Sequence, residues 1–206
     1  MSLDLNSLES VRKCAEELIS STKEVNILVN NAGVMAIPNK EVTEDGFEKQ
    51  IGINHFGHFA LTGQLFDHMK KSKNARVVNV ASSAHQFSAI DRDDLMLDKK
   101  GAYQAWKAYG NSKLSNILFT KELAKKLYLK SDNTLTVVCC HPGDQIRAYT
   151  LLGVISSISY LRIIYSCQLY FNPNLALCLP NGQEYAEQNW AVTFSTLHRS
   201  LSLCQK

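Results

Sequence analysis

The sequence predicts an α/β domain built on a parallel sheet, because short apolar runs alternate with segments of helical periodicity. Three runs, 26–29, 76–80 and 134–139, have the length and apolar composition of buried strands. Small or polar residues follow these runs, as Asn-Asn-Ala-Gly, Ala-Ser-Ser and His-Pro-Gly. In open parallel sheets, ligands bind beyond the carboxyl ends of the strands. We therefore expect the three loops to share one rim, where a ligand would sit.

Helical segments flank and separate these strands. Asn6 or Ser7 can cap a first helix, whose apolar residues recur at helical spacing as far as Ile19. A second helix is expected after a cap at Thr43. Its stripe consists of Phe47, Ile51, Asn54, His58, Leu61 and Leu65. The segment 107–127 predicts a long third helix with apolar residues on more than one face, which indicates deep packing.

Composition limits the class of protein. The 206 residues with 45% hydrophobic content suit one domain with a full core, and they are too few to expect two domains. The formal net charge is only +3 and the lysines are spread along the chain, so nucleic acid is not expected as a partner. Six cysteines without a C-x-x-C pair indicate free thiols in a reducing compartment. Residues 1–10 lack a secretory signal, and together these features predict an intracellular protein, cytoplasmic or at the cytoplasmic face of an internal membrane.

Two Y-x-x-x-K pairs carry candidate proton-transfer chemistry. Tyr109 precedes Lys113 by four residues, and Tyr103 precedes Lys107 by the same spacing. Residues four apart share one face of a helix, so either pair can place an ammonium beside a phenol. Spacing alone does not choose between the two pairs.

Five motifs occur in order along the chain and together resemble the short-chain dehydrogenase/reductase family, in its retinol-dehydrogenase-like branch. They are Asn30-Asn31-Ala32-Gly33, Asn54 within INHFGHFALT, Ser82 within VVNVASSAH, Tyr109-x-x-Ser112-Lys113, and HPG at 141–143. The resemblance runs from about Leu3 to Gly143. It implies a Rossmann-like, doubly wound parallel sheet. It also implies NAD- or NADP-dependent interconversion of an alcohol and a carbonyl on a lipophilic, retinoid- or steroid-like substrate.

The resemblance assigns roles to individual residues as well. Family members carry Y-x-x-S-K at the start of the long helix, which selects Tyr109 and Lys113 and leaves Tyr103 and Lys107 as a solvated helix-entry segment. The implied catalytic residues are Asn54, Ser82, Tyr109 and Lys113. The implied coenzyme contacts are Asp4, Asn31, Ala32, Gly33, Tyr109, Lys113, Pro142 and Gly143, with Asp4 at the adenine ring.

Proton transfer at the substrate oxygen suits a tyrosine whose pKa falls from about 10 towards 7, a shift worth roughly 4 kcal/mol. An ammonium about 4 Å away supplies on the order of 4 kcal/mol at an effective dielectric near 20, so Lys113 is strong enough for this task. By the resemblance, Lys113 also binds the nicotinamide ribose, Ser82 hydrogen-bonds the substrate oxygen, and Asn54 positions a water in the proton relay.

His55 and His58 lie three residues apart, a spacing that invites a metal-site hypothesis. A third ligand at a recognisable spacing is missing from the sequence. We therefore expect both histidines to be structural and no metal to be bound.

The chain departs from the family pattern where the coenzyme pyrophosphate would bind. Dinucleotide binding in this fold uses a glycine-rich turn after the first strand. The ten glycines of this chain are never closer than five residues apart, so even a G-x-G is absent. We expect that the first β-α-β unit is missing ahead of Met1 and that coenzyme affinity is weak or nil. We also expect the strand at 26–29 to become an exposed apolar edge, which invites aggregation or a partner.

Composition changes abruptly in the last third of the chain. Residues 1–143 are predicted to form a partial dehydrogenase-like domain, and 144–206 a divergent apolar segment. Within that segment, 151–171 is expected to be buried or interfacial, because Arg162 lies at the centre of the apolar run. Two functions stay open: an oxidoreductase acting on a lipophilic small molecule, or a truncated, non-catalytic chain that binds a protein or a membrane surface. Homo-oligomerisation stays open too.

Overall fold

A three-stranded parallel sheet organises the protein in a computed structural model, which describes residues 1–129, 132 and 134–141. Its strands are β1 (Ile27–Asn30), β2 (Ala75–Val80) and β3 (Leu135–Cys140), in the spatial order β1-β2-β3. All described pairings are parallel, with β2 in the centre. The three predicted strands are confirmed.

Helices connect the strands, as parallel pairing requires. The helical elements are α1 (Leu8–Ser21), α2 (Lys49–Ile51), a π-helix (Gly52–Gly57), α3 (His58–Met69), a 3-10 helix (Ser83–Phe87) and α4 (Ala105–Leu129). The strand-helix alternation confirms a Rossmann-like α/β fold. The predicted segment 144–206, with its stretch 151–171, lies outside the described residues.

Helix α1 begins where the sequence predicts, but a different residue caps it. Ser7 occupies the cap position with extended backbone, and its side chain makes no cap hydrogen bond. The N–H of Leu8 donates instead to the carboxylate of Asp45, at 2.9 Å. A cap supplied 37 positions away cannot be read from the local sequence, and it ties α1 to the loop ahead of α2.

The second predicted helix differs from expectation in its start and in its middle. It begins at Lys49 rather than after Thr43, because both carboxylate oxygens of Glu48 accept backbone N–H bonds from the first turn of the helix. Thr43 closes a tight turn instead, pairing with Phe47 through backbone and side chain. The π-helix at Gly52–Gly57 then interrupts the expected regular stripe. Wider turns of this kind are frequent at functional sites.

The sheet buries one face and exposes part of the other. Val77 and Val137 point into the core with 0% and 4% exposure, on the side contacted by α4. On the edge strand β1, Ile27 and Val29 are 45% and 54% exposed. Parallel strands are usually covered on both faces. Among the described residues, β1 therefore forms the exposed apolar edge that the sequence predicts.

Candidate active site at the carboxyl edge of the sheet

Asn54 sits in the π-helix and joins two separate parts of the chain. Its side-chain oxygen accepts from the N–H of Val34 at 2.8 Å, and its amide donates to the carbonyl of Val34 at 2.8 Å. The same amide donates to the hydroxyl of Ser112 in α4, at 2.9 Å. Asn54 is 0% exposed, so these partners replace water completely. The side chain fastens the loop after β1 to the helix that carries Tyr109 and Lys113.

The backbone carbonyl of Asn54 is also occupied. It accepts from the Nδ1 of His58 at 3.0 Å and from the side-chain amide of Asn116 at 3.1 Å. Asn54 is thus a structural tie in this state, and its role in holding a relay water stays a prediction.

Ser82 lies two residues beyond the end of β2 and starts the 3-10 helix. Its hydroxyl accepts from the N–H of Ala84 at 3.2 Å, and its carbonyl accepts from the Nδ1 of His85 at 2.7 Å. Ser82 is half-buried, whereas Ser83 is exposed. The cap contact holds the hydroxyl at the carboxyl edge of the sheet.

A glycine in α4 brings this helix next to the serine loop. A Cβ at Gly110 would lie 2.6 Å from the carbonyl of Ala84 and 3.2 Å from the N–H of Ser88. Only a residue without a side chain allows α4 to approach the backbone so closely. The backbone of α4, at the residue after Tyr109, is therefore held against the loop that begins at Ser82.

Lys113 reaches the same edge from one turn further along α4. Its Nζ donates to the carbonyl of Val80, the last residue of β2, at 3.2 Å. It also lies 5.6 Å from the ring centroid of Tyr109. The residue is 5% exposed, and burial lowers the pKa of its amine below the ordinary lysine value.

The other Y-x-x-x-K pair is placed differently. The hydroxyl of Tyr103 donates to the carbonyl of Ile37 at 2.7 Å and accepts from the amide of Gln50 at 3.1 Å. Tyr103 lies just ahead of α4, and burial raises its pKa. The expectation that this tyrosine is solvated is wrong, because its phenol joins the loop at Ile37 to helix α2. Its structural role supports the choice of Tyr109 for proton transfer.

The predicted coenzyme contacts other than Tyr109 and Lys113 divide into three groups. Asn31, Ala32 and Gly33 are exposed beyond the end of β1. Asp4 is exposed, and its carboxylate accepts from the N–H of Asn6 at 2.9 Å, a local turn contact. The remaining two positions, 142 and 143, lie outside the described residues.

At Gly33, in the loop after β1, a side chain would clash with its neighbours. A Cβ at this position would lie 2.6 Å from the side-chain oxygen of Asn54. The backbone after β1 is consequently bare and open to a ligand. Lys113 is buried and has no carboxylate partner among the described ion pairs. Together with the exposed backbone at Gly33, it fits the nicotinamide ribose end of a dinucleotide.

His55 and His58 have separate polar partners within the fold. The Nδ1 of His55 pairs with the side-chain oxygen of Asn116 at 3.1 Å, while His58 binds the carbonyl of Asn54. Burial lowers the pKa of each histidine to about 4. Within the described part of the chain, no group of three or more metal-ligating side chains comes together.

Asn116 is a site residue that the sequence reasoning missed. Its amide donates to the carbonyls of Asn54 and Val80, at 3.1 and 3.2 Å, and its oxygen pairs with His55. Val80 also receives the Lys113 amine, so Asn116 braces both the π-helix and the end of β2. Its position three residues after Lys113 on the same helix was the available signal.

The fold and the site together define a Rossmann-like α/β domain with a tyrosine-lysine pair at the carboxyl edge of its sheet. Comparison with known proteins agrees with this class. Residues 1–92 match the family model for short chain dehydrogenase. Human "Retinol dehydrogenase 13" is 47% identical over 141 residues, which cover 68% of this chain and 41% of that protein. Mouse "Retinol dehydrogenase 12" is 44% identical over 159 residues, which cover 77% of this chain and 46% of that protein.

Solved structures show the same likeness. An uncharacterized protein from Mycobacterium paratuberculosis is 42% identical with a TM-score of 0.63, over 70% of this chain and 50% of that one. The NADP active-site complex of RhlG from Pseudomonas aeruginosa is 26% identical with a TM-score of 0.52, over 74% of this chain and 56% of that one. Over the matched residues the chain is similar to the short-chain dehydrogenase family, in its retinol-dehydrogenase-like branch. It spans less than half the length of the two curated relatives.

In the part of the chain that the structure describes, no helix is both long enough and apolar enough to cross a membrane.

Proposed function

We propose that this chain carries the proton-transfer side of an NAD(P)-dependent oxidoreductase that interconverts an alcohol and a carbonyl on a lipophilic, retinoid- or steroid-like molecule. One observation carries the proposal: Lys113 lies 5.6 Å from the Tyr109 ring while bound to the end of β2. The relatives named as retinol dehydrogenases support the substrate class.

The bound coenzyme would supply or accept the hydride. At the substrate oxygen, Tyr109 gives a proton during reduction and takes one during oxidation. Lys113 in its ammonium form stabilises the phenolate left on Tyr109 after proton donation. Ser82 orients the same oxygen from the end of β2, and Asn54 keeps α4 in place by its bond to Ser112.

Coenzyme contacts are proposed for the exposed backbone of 31–33 and for the Lys113 amine, which would reach the ribose. The NADP named in the RhlG complex supports this class of coenzyme, without selecting NADP over NAD for this chain.

The test is reduction of retinaldehyde by the full chain with NADH or NADPH, followed through the absorbance of the reduced coenzyme. We expect Tyr109→Phe to lower kcat/KM at least ~100-fold, because it removes the proton donor. Tyr128→Phe is the matched control, since Tyr128 is 84% exposed at the end of α4. Equal activities of the two variants would overturn the assignment of Tyr109.

A second function is favoured by a different observation. Ile27 and Val29 are exposed on β1, at an edge where another strand or another protein can dock. In that case the chain is a binding protein without turnover. Undetectable turnover at saturating coenzyme, together with Val29-dependent association, would favour this alternative.

A further inference from the structure

Two exposed aromatic residues lie close to the start of α4, where Tyr109 is found. Among the Phe, Trp and Tyr residues that the structure describes, the exposed ones are Phe87, Trp106 and Tyr128, at 68%, 55% and 84% exposure. Tyr128 lies at the far end of α4, away from the carboxyl edge of the sheet. Large aromatic side chains are usually well buried, and a group of exposed ones is typical of a surface that binds something.

Trp106 packs edge-on against Tyr109. The centroids of the two rings lie 6.0 Å apart, and the angle between the ring planes is 80°. The residues are three positions apart in α4, so they share one face of the helix. Tyr109 is half-buried, whereas Trp106 is exposed. An open indole surface therefore begins at the ring of the proposed proton donor.

Phe87 approaches the same part of α4 from the loop after β2. It is the last residue of the 3-10 helix that Ser82 caps. Its carbonyl carbon lies 3.4 Å from the position that a Cβ at Gly110 would take. Gly110 follows Trp106 by four residues on the same helix face, so the backbone of Phe87 lies about one helical turn from Trp106. Two separate segments thus each bring an exposed aromatic residue to one place.

The same two segments carry the polar groups of the proposed chemistry. Ser82 begins the loop that Phe87 ends, and Tyr109 and Lys113 follow Trp106 on α4. Sites for small molecules commonly combine apolar, aromatic walls with a few polar groups that fix the orientation of the ligand. Since the two rings are 6.0 Å apart, a molecule with its oxygen at Tyr109 places its adjoining carbons within reach of Trp106.

We propose that Trp106 and Phe87 form an aromatic wall on which the apolar body of an alcohol or aldehyde lies, and that this wall selects long substrates over short ones. The inference rests on the proposed function for the orientation of the molecule, with its oxygen at Tyr109. Binding to the wall grows with the apolar area that leaves water, so a molecule of three carbons gains little from it. Trp106 thus determines specificity and takes no part in proton transfer.

The first test measures binding of all-trans-retinol to the full chain without coenzyme, through the fluorescence of retinol. We expect Trp106→Ala and Phe87→Ala each to raise the dissociation constant at least ~5-fold, and Trp106→Phe to raise it less than ~3-fold, because an aromatic surface remains. Both residues are exposed, so the variants should keep the fold. Tyr128→Ala is the control, since it removes an exposed aromatic residue at the other end of α4. An unchanged affinity in either alanine variant of the wall, or an equal loss in Tyr128→Ala, would overturn the proposal.

A second test separates the aromatic wall from an indirect effect on Tyr109. Reduction of retinaldehyde and of propanal by the full chain is compared at the same concentration of NADH or NADPH. In Trp106→Ala, kcat/KM should fall at least ~5-fold for retinaldehyde and stay within ~2-fold for propanal. An equal fall for both aldehydes would show that Trp106 acts by positioning Tyr109, and would overturn the proposal.

The two tests also distinguish this inference from the proposed function. Retinol binding that depends on Trp106, in a chain without coenzyme-dependent turnover, supports the aromatic wall and contradicts the oxidoreductase. Turnover with unchanged retinol affinity and unchanged aldehyde selectivity in Trp106→Ala does the reverse. Self-association that depends on Trp106, without an effect on retinol binding, would assign this surface to a second copy of the chain and overturn the proposal.

Discussion

The side-chain amide of Asn54 donates to the hydroxyl of Ser112 at 2.9 Å, and that hydroxyl donates in turn to the carbonyl of Tyr109 at 2.7 Å. The π-helix, the loop at Val34 and the start of α4 are thereby linked through buried hydrogen bonds. Such a network is costly to break at any one point, because a donor or acceptor is then left without a partner.

Replacing Asn54 with alanine tests this network. We expect Asn54→Ala to lower the free energy of unfolding by about 2–3 kcal/mol, since the Val34 backbone groups and the Ser112 hydroxyl lose a partner away from water. Urea denaturation measures the change. The control is Asn74→Ala at an exposed turn, expected within about 0.5 kcal/mol. Equal effects of both variants would contradict the proposed tie.

Alanine substitutions at Gly33 and Gly63 are expected to change the stability of the protein in opposite directions. In Gly33→Ala, the new methyl group meets the Asn54 oxygen at 2.6 Å, and we expect a loss of about 1–3 kcal/mol. In Gly63→Ala, nothing lies within 4 Å and the residue is exposed in α3, so we expect a gain of about 0.5–1 kcal/mol. Thermal unfolding of both variants distinguishes them. Destabilisation by Gly63→Ala would show that helix propensity is not the controlling effect.

Local patterns were sufficient to predict much of this fold. The strands and α4 follow from apolar runs and helical periodicity, which depend on neighbours in sequence. The π-helix does not follow from such local patterns. A Cβ at its first residue, Gly52, would meet the Thr43 methyl at 2.5 Å, and this contact is set by the folded turn. The cap of α1 by Asp45 is likewise a long-range contact.

Individual site residues were predicted unevenly for the same reason. Tyr109 and Lys113 share a short motif on one helix, so their proximity is local. Asn116 contacts residues 36 and 62 positions away, Val80 and Asn54, and its place three residues after Lys113 does not identify these partners. Pair contacts across the fold require the arrangement of α4 against β2, which no single segment specifies.

The exposed edge of β1 gives a prediction about association. We expect the wild-type chain to self-associate, and Val29→Lys to reduce this, because a charge on an edge strand opposes edge pairing. Stability should change by no more than about 0.5 kcal/mol, since Val29 is 54% exposed. Light scattering over a concentration series gives the measurement. Met35→Lys, at a loop residue 47% exposed, is the control, and an equal reduction by it would contradict an edge-specific effect.

His55 and His58 are buried next to Asn54, and their burial lowers the pKa of each to about 4, against 6.5 for an ordinary histidine. Above pH ~6.5 neither the folded nor the unfolded state protonates them, so their neutral forms cost no stability. Below that value, the unfolded chain binds protons that the folded chain excludes until its own pKa is reached. The free energy of unfolding must therefore fall as the pH drops from about 6.5 towards 4.

We expect a loss of about 2 kcal/mol for each histidine between pH 7 and pH 5, from a shift of this size. Urea denaturation at several pH values measures it. In His58→Gln one of the two titrations is gone, so the pH dependence over this interval should be roughly halved, whatever the variant's stability at pH 7. A wild-type stability that is flat from pH 7 to pH 5 would mean that the histidines are protonated within the fold. The hydrogen bond from the His58 Nδ1 to the Asn54 carbonyl favours the charged ring, and the lowered pKa means that burial outweighs this bond.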